Sequence, residues 1–128
     1  MKLADLDVLI VDDHEAMRVM LARVLVRAGI TRVRMASSGL EALSLLADRS
    51  ASLVLADQNM PGMDGLTFVA AIRSDETLRH ASIIMVSGMT DEAHISRARE
   101  AGADAVLVKP VTPRALLEAI EKTLTDSA

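Results

Sequence analysis

The chain has 128 residues, of which 51% are hydrophobic, and this size suits one globular domain with a substantial core. It has no cysteine, which excludes disulfides and thiolate metal sites, and its one aromatic residue leaves the core to aliphatic side chains. The formal net charge of −4 argues against direct binding to nucleic acid, because such binding needs a basic surface.

The N-terminal segment does not resemble a secretory signal peptide, because acidic residues interrupt its apolar stretch at Asp5 and Asp7 and then close it. No apolar run approaches the ~20 residues that a membrane-spanning helix needs. We therefore expect residues 1–128 to form a single soluble cytoplasmic domain with no membrane partner.

Short apolar runs alternate with amphipathic stretches along the whole chain, and this alternation predicts strands and helices in turn. In chain order, the predicted strands are 7–11, 32–36, 53–57, 82–87 and 104–108. The predicted helices are 15–28, 38–48, 64–74, 91–101 and one that starts at 112. The second strand alternates more than the others, and we expect it nearer an edge of the sheet.

Local signals support several helix boundaries. Gly29 is a plausible C-cap of the first helix, and Ser38 with Glu41 three residues later forms a capping-box pattern for the second. Gly102 is expected to end the fourth helix, and Pro113 occupies the first helical position of the last. Five strand–helix units predict an α/β fold, in which a doubly wound parallel sheet lies between two helical layers.

Polar residues end or follow four of the predicted strands. Because parallel strands share a direction, their C-terminal ends lie along one edge, where open α/β sheets hold their functional sites. The residues expected to meet there are Asp12, Asp13, Asp57, Ser87 and Lys109. Clustered carboxylates either acquire raised pKa values or bind a cation, and oxygen ligands favour Mg²⁺. A carboxylate can also act as a nucleophile toward phosphorus, with an ammonium and a hydroxyl contacting the phosphoryl oxygens.

Four segments of the chain together strongly resemble the receiver domain of two-component response regulators, most closely the single-domain chemotaxis type. The segments are Val11-Asp12-Asp13, Asp57-Gln58-Asn59-Met60-Pro61-Gly62-Met63-Asp64-Gly65, Val86-Ser87-Gly88 and Val108-Lys109-Pro110. The resemblance covers essentially the whole chain. It implies a flavodoxin-like (βα)5 sandwich with strand order 2-1-3-4-5.

The resemblance also implies roles for these residues. Asp57 would accept a phosphoryl group from a phosphohistidine on a histidine kinase or a histidine phosphotransfer protein. Mg²⁺ would be bound by Asp13, Asp57 and the backbone carbonyl of Asn59, with Asp12 acting largely through a metal-bound water. Ser87 and Lys109 would contact the phosphoryl oxygens.

The implied output is binding to a downstream target protein, so the chain would not be an enzyme beyond its own phosphorylation and dephosphorylation. Three alternatives stay open: a phosphate-independent pseudo-receiver, a receiver excised from a larger regulator or hybrid kinase, and an aspartate phosphatase. The phosphatase alternative is weakened because Asn59 stands where such enzymes place a second acid.

Three positions bear on switching and dephosphorylation in this family. Val106 occupies a position that is usually Tyr or Phe, so either the aromatic coupling is altered, or valine merely packs and Ser87 carries the switch. Asn59 and Met89 occupy positions that often tune dephosphorylation. Because methionine offers an attacking water no strong hydrogen bond, we expect slow self-hydrolysis.

The first helix carries apolar residues outside its core-facing stripe, flanked by arginines, and this face is either solvated or a docking surface for the phosphodonor. The residues are Val19, Ala22, Val26, Arg18, Arg23 and Arg27. The three histidines, His14, His80 and His94, are separated in sequence, form no ligand motif and are interpreted as surface residues.

Overall fold

The structure, a computed structural model, describes residues 3–88 and 91–127, with side chains as far as Thr125. In these residues five strands alternate with five α-helices after a short 3-10 helix, Leu3–Asp5. The strands are β1 Asp7–Val11, β2 Arg32–Ala36, β3 Leu53–Asp57, β4 Ser82–Ser87 and β5 Ala105–Val108. The helices are α1 Glu15–Arg27, α2 Gly39–Asp48, α3 Gly65–Ser74, α4 Glu92–Ala101 and α5 Pro113–Ser127.

All neighbouring strands are parallel, and their order is β2-β1-β3-β4-β5, which confirms the predicted doubly wound α/β fold and its strand order. The second strand is an edge strand, as its alternating pattern predicted. The register aligns the C-terminal ends of the three central strands: Val11 pairs with Ala56, and Asp57 pairs with Val86. Residues that follow these ends therefore start from nearly the same level of the sheet.

Strand alternation divides the core into two clusters, one on each face of the sheet. Helices α1 and α5 pack on one face through Leu21, Leu25, Leu116 and Ile120. Helices α2, α3 and α4 cover the other face, where Phe68 is fully buried. Every residue of β3 is buried, as expected for the central strand of a sheet covered on both sides.

Three predicted helix starts are supported by side-chain caps. The Ser38 hydroxyl accepts a hydrogen bond from the Glu41 backbone N–H at 3.1 Å, and the Asp64 carboxylate accepts one from Thr67 at 2.8 Å. The Thr112 hydroxyl caps α5 through the backbone N–H of Ala115 at 3.1 Å. In the described residues, no helix is both long enough and apolar enough to cross a membrane.

One expected helix cap differs from the observed one, and one helix starts without a side-chain capping bond. The C-cap of α1 is Ala28, and Gly29 follows it with a φ of 100°, a left-handed conformation that glycine adopts at little cost. Asp91 precedes α4, but among the described residues its side chain makes no capping hydrogen bond. Its carboxylate instead lies 2.6 Å from Nδ1 of His94, one turn into the helix.

Candidate functional site at the carboxyl edge of the sheet

Asp12, Asp13 and Asp57 meet at the carboxyl edge of the sheet together with a residue that the sequence interpretation left out, His14. One ligand atom from each of the four lies within 4.8 Å of the others. The His14 side chain is 69% exposed, as expected for a surface residue, yet its Nδ1 lies 3.2 Å from a carboxylate oxygen of both Asp12 and Asp13. Its position directly after the Asp pair at a strand end was the available signal.

Asp57 is almost completely buried, with only 2% of its surface exposed. Lys109 Nζ lies 3.1 Å from its Oδ1, and the backbone of Asn59 lies near the carboxylate. Burial raises the pKa of Asp57 above its usual range, and the nearby Asp12 charge raises it further. The hydrogen bond and charge of Lys109 and the Asn59 amide oppose this rise without cancelling it.

Three carboxylate oxygens of the site are buried without a hydrogen bond. Among the described residues, Oδ2 of Asp12, Oδ1 of Asp13 and Oδ2 of Asp57 have no hydrogen-bond partner, although Oδ1 of Asp13 lies 3.2 Å from Nδ1 of His14. Buried carboxylate oxygens without donors are costly unless a cation or water meets them. Carboxylate oxygens suit a hard divalent ion, and those of Asp12, Asp13 and Asp57 fit Mg²⁺.

Asp12 is held in place from two directions. Its Oδ1 accepts a hydrogen bond of 2.8 Å from the backbone N–H of His14, which begins the turn into α1. Its carbonyl oxygen accepts a 2.7 Å hydrogen bond from Arg18 Nη1. Arg18 therefore reaches back to the acid cluster, while the sequence had placed it only among the arginines that flank the outer face of α1.

Ser87 and Lys109 reach the same edge from β4 and β5. Ser87 is buried at the end of β4, and its carbonyl accepts a 2.9 Å hydrogen bond from the backbone N–H of Lys109. The Lys109–Pro110 peptide bond is cis. The Lys109 side chain then crosses in front of β4 to reach Asp57. The five residues predicted at the strand ends thus lie along one edge of the sheet.

The loop after Asp57 turns sharply to start α3. The backbone N–H of Gly65 donates a 2.8 Å hydrogen bond to the Gln58 carbonyl, which closes the loop beside the acid cluster. A Cβ at Gly65 would lie 2.6 Å from the Asp57 carbonyl oxygen, closer than side-chain carbons come in practice. Glycine at this position is therefore required by the close approach of two backbone segments.

The remaining predicted positions lie at different distances from the site. Val106 pairs with Met85 in the sheet and is partly buried against the cluster under α2, α3 and α4. The Asn59 residue is exposed, while its backbone faces Asp57. Met89 lies outside the described residues.

A groove of about 890 Å³ runs along the outer face of α1 to the start of α5. Apolar side chains line it, among them Val19, Val111 and Leu117, and Arg23 and Arg27 add positive charge. Val19 and Val26, which continue this face, are exposed. The face that the sequence marked as solvated or docking is thus a concave apolar surface with a basic border.

Comparison with known proteins gives a consistent result across sequence and structure. The profile of the response regulator receiver domain matches residues 8–121. A chemotaxis protein CheY of Pseudomonas aeruginosa is 37% identical over 115 residues, which cover 90% of this chain and 93% of that protein. The crystal structure of the chemotaxis response regulator CheY4 of Vibrio cholerae superposes with a TM-score of 0.86 at 33% identity, covering 91% and 96% of the two chains.

A larger solved protein contains a similar unit. The structure of a probable two-component response regulator/GGDEF domain protein matches with a TM-score of 0.87 at 28% identity. The match covers 96% of this chain and 50% of that protein. From the profile match and the curated relative, this chain belongs to the family of response regulator receiver domains.

Proposed function

We propose that this chain is a phosphorylation-activated switch of a two-component system, which accepts a phosphoryl group from a phosphohistidine donor onto Asp57. One observation carries the proposal. The Asp57 carboxylate is buried, has one oxygen on the Lys109 ammonium, and has its other oxygen unpartnered beside the acid cluster. This arrangement suits a nucleophile whose second oxygen meets an incoming electrophile.

In the proposed reaction, an Asp57 oxygen forms a bond to phosphorus while the bond from phosphorus to the donor imidazole nitrogen breaks. The electron pair of the broken bond stays on the imidazole nitrogen. This nitrogen takes up a proton from the solvent, and the donor leaves as a neutral imidazole. The Lys109 ammonium lies 3.1 Å from Asp57 Oδ1. After transfer it would bind a negatively charged phosphoryl oxygen instead. Ser87, at the end of the adjacent strand β4, would donate its hydroxyl hydrogen to a second phosphoryl oxygen.

Mg²⁺ is the proposed cofactor, and it would neutralise charge on the phosphoryl oxygens during transfer. Asp13, Asp57 and the Asn59 carbonyl would hold it directly, and Asp12 would hold it largely through water. The clustering of these carboxylates within 4.8 Å and their unpartnered buried oxygens support this assignment.

The proposed partners are a histidine kinase or phosphotransfer protein upstream and a downstream target protein. The groove along α1 supports the upstream part, because an apolar face with a basic border suits an amphipathic helix. The phosphorylated state would signal by binding, so the chain would turn over no substrate apart from its own phosphoryl group. Its cellular place would be the cytoplasm.

A phosphate-independent pseudo-receiver is the second candidate, and Val106 favours it, because the residue offers no aromatic ring to couple the site to the surface. Intact-mass measurement after incubation with Mg²⁺ and acetyl phosphate or phosphoramidate separates the two. We expect a single phosphoryl adduct that is absent in Asp57→Ala. If the chain binds Mg²⁺ but gains no mass with either donor, the phosphorylated switch is excluded and the pseudo-receiver is the remaining candidate.

A further inference from the structure

We propose that His14 supplies an imidazole ligand to the metal site, so that the site binds transition ions such as Ni²⁺, Zn²⁺ and Mn²⁺ as well as Mg²⁺. The inference rests on the metal site of the proposed function and deepens it by naming the class of ion. It departs from the expectation, drawn from sequence, that only oxygen atoms line this site.

The geometry places the imidazole nitrogen among the carboxylates. Nδ1 of His14 lies 3.2 Å from Oδ1 of Asp12 and 3.2 Å from Oδ1 of Asp13. Ligands at about 2.0–2.2 Å from one ion lie roughly 2.9–4.4 Å apart from each other. The four candidate ligand atoms, including one from Asp57, lie within 4.8 Å. A contraction of a few tenths of an ångström would bring all four onto one ion.

Two independent features indicate that the cluster can bind a cation. Oδ2 of Asp12 and Oδ2 of Asp57 belong to residues that are 1% and 2% exposed, and both atoms lack a hydrogen-bond partner among the described residues. A cation would satisfy them. His14 is also fixed at its backbone, because its N–H donates to Asp12 Oδ1 at 2.8 Å and its carbonyl accepts from the backbone N–H of Arg18 at 3.1 Å. The imidazole therefore starts from a defined position beside the acids.

The chemical type of the coordinating side chain determines which ions bind more tightly. Imidazole is a preferred ligand of Zn²⁺, Ni²⁺ and Cu²⁺, whereas Mg²⁺ prefers oxygen and gains little from nitrogen. If His14 is a ligand, its removal weakens transition-ion binding far more than Mg²⁺ binding. If His14 only adds charge or shape, its removal changes the affinity for all divalent ions alike.

The test measures metal binding to untagged protein by calorimetry, with Ni²⁺ and Mg²⁺ as probes. We expect His14→Ala to weaken Ni²⁺ binding about tenfold or more and Mg²⁺ binding less than about threefold. His80→Ala is the matched control, because this exposed histidine lies at the opposite edge of the sheet, near Arg79 and Ala81. Equal losses for both ions, or Ni²⁺ affinity within about twofold of wild type, would overturn the inference.

A second measurement reads the bond directly and does not depend on the stability of the variant. Electron spin-echo modulation of bound Mn²⁺ should show coupling to a histidine nitrogen, and it should change when the protein carries ¹⁵N-labelled histidine. The coupling should persist in His80→Ala and vanish in His14→Ala. Wild-type protein that binds Mn²⁺ without nitrogen coupling would contradict the assignment.

The outcome is separable from that of the proposed function, because neither measurement involves phosphoryl transfer. A chain that binds Ni²⁺ through His14 but forms no phosphoryl adduct fails only as a phosphorylated switch. If the chain forms the adduct and His14→Ala binds Ni²⁺ as tightly as the wild type does, only the assignment of His14 as a metal ligand is overturned.

Discussion

Lys109 Nζ lies 3.1 Å from Oδ1 of Asp57, and this contact joins the ends of β5 and β3 across the intervening strand β4. Lys109 contacts Asp57, while the carboxylates of Asp12 and Asp13 lie in the same cluster. The negative charge exceeds what Lys109 can neutralise, so the metal-free site is electrostatically strained. This imbalance determines how the protein should respond to mutation, pH and divalent ions.

Asp57→Asn should stabilise the metal-free protein at neutral pH. The pKa of Asp57 is raised mainly by burial, so the folded state binds its proton more tightly than the unfolded state does. The free energy of unfolding of the wild type therefore falls as the pH rises from 3.8, the ordinary pKa of an aspartate, through the raised pKa of folded Asp57. It stays lower at any pH above that raised pKa. We expect Asp57→Asn to raise the Tm by about 3 °C or more at pH 7 and to lose this advantage in acid. The exposed Glu76→Gln is the control, and a lower Tm for Asp57→Asn would contradict the argument.

Mg²⁺ should stabilise the folded chain through the same carboxylates. At a concentration ten times its Kd, an ion that binds only the native state adds about 1.4 kcal/mol, or roughly 3–6 °C in Tm for a domain of this size. Asp13→Asn should remove most of this gain, because Asp13 is a proposed direct ligand. Thermal melts in MgCl₂ and in KCl of equal ionic strength make the comparison. Equal gains for wild type and Asp13→Asn would show that Mg²⁺ binds elsewhere.

Lys109→Met should impair phosphoryl uptake while leaving metal binding intact. The ammonium lowers the pKa of Asp57 by hydrogen bond and charge, so its loss leaves a less ionised nucleophile and no cation for the phosphoryl oxygens. We expect adduct formation from acetyl phosphate to slow about 100-fold or more. Lys109→Arg, which keeps the charge, should retain more activity. An uptake rate for Lys109→Met close to that of wild type would exclude the proposed role.

Gly65→Ala should destabilise the loop that carries Asp57. Its Cβ would lie 2.6 Å from the Asp57 carbonyl oxygen and 2.7 Å from Gln58 Cα, and backbone atoms cannot rotate away as side-chain tips can. We expect a loss of about 1–3 kcal/mol in urea unfolding. Gly88→Ala is the matched control, because among the described residues no atom outside its own chain neighbours lies within 4 Å of the added Cβ. Similar losses for both variants would indicate a general effect of replacing glycine.

Much of the fold can be predicted from the sequence, because strands and helix starts are marked by apolar runs and capping residues within a few positions of each other. The strand β3 is a continuous apolar run closed by Asp57, and all five of its residues are buried. Ser38 starts α2 through a hydrogen bond to the residue three positions ahead, so the capping-box spacing with Glu41 identifies it. The convergence of the strand-end residues also follows, since parallel strands leave no other edge for them.

The missed features depend on side-chain direction, which sequence spacing does not determine. His14 follows the Asp pair, yet only the turn into α1 directs its ring toward the carboxylates. Arg18 lies on the outer part of α1 by helical position, but its long side chain reaches back to the Asp12 carbonyl. The cap at Ala28 differs from the expected one by a single residue, because the left-handed turn begins after the last helical hydrogen bonds.

The lifetime of the phosphorylated state should depend on the side chain at position 89. By resemblance to receiver domains, Asn59 and Met89 are expected at two positions that often tune dephosphorylation, and a thioether cannot orient an attacking water as a carboxylate does. We therefore expect slow self-hydrolysis in the wild type. Met89→Glu should shorten the phosphate lifetime about tenfold, because a carboxylate can accept a hydrogen bond from that water. Intact-mass time courses after removal of the donor measure the lifetime, with Met89→Leu as an apolar control. If Met89→Glu and Met89→Leu decay at the wild-type rate, the residue has no part in shielding the acyl phosphate.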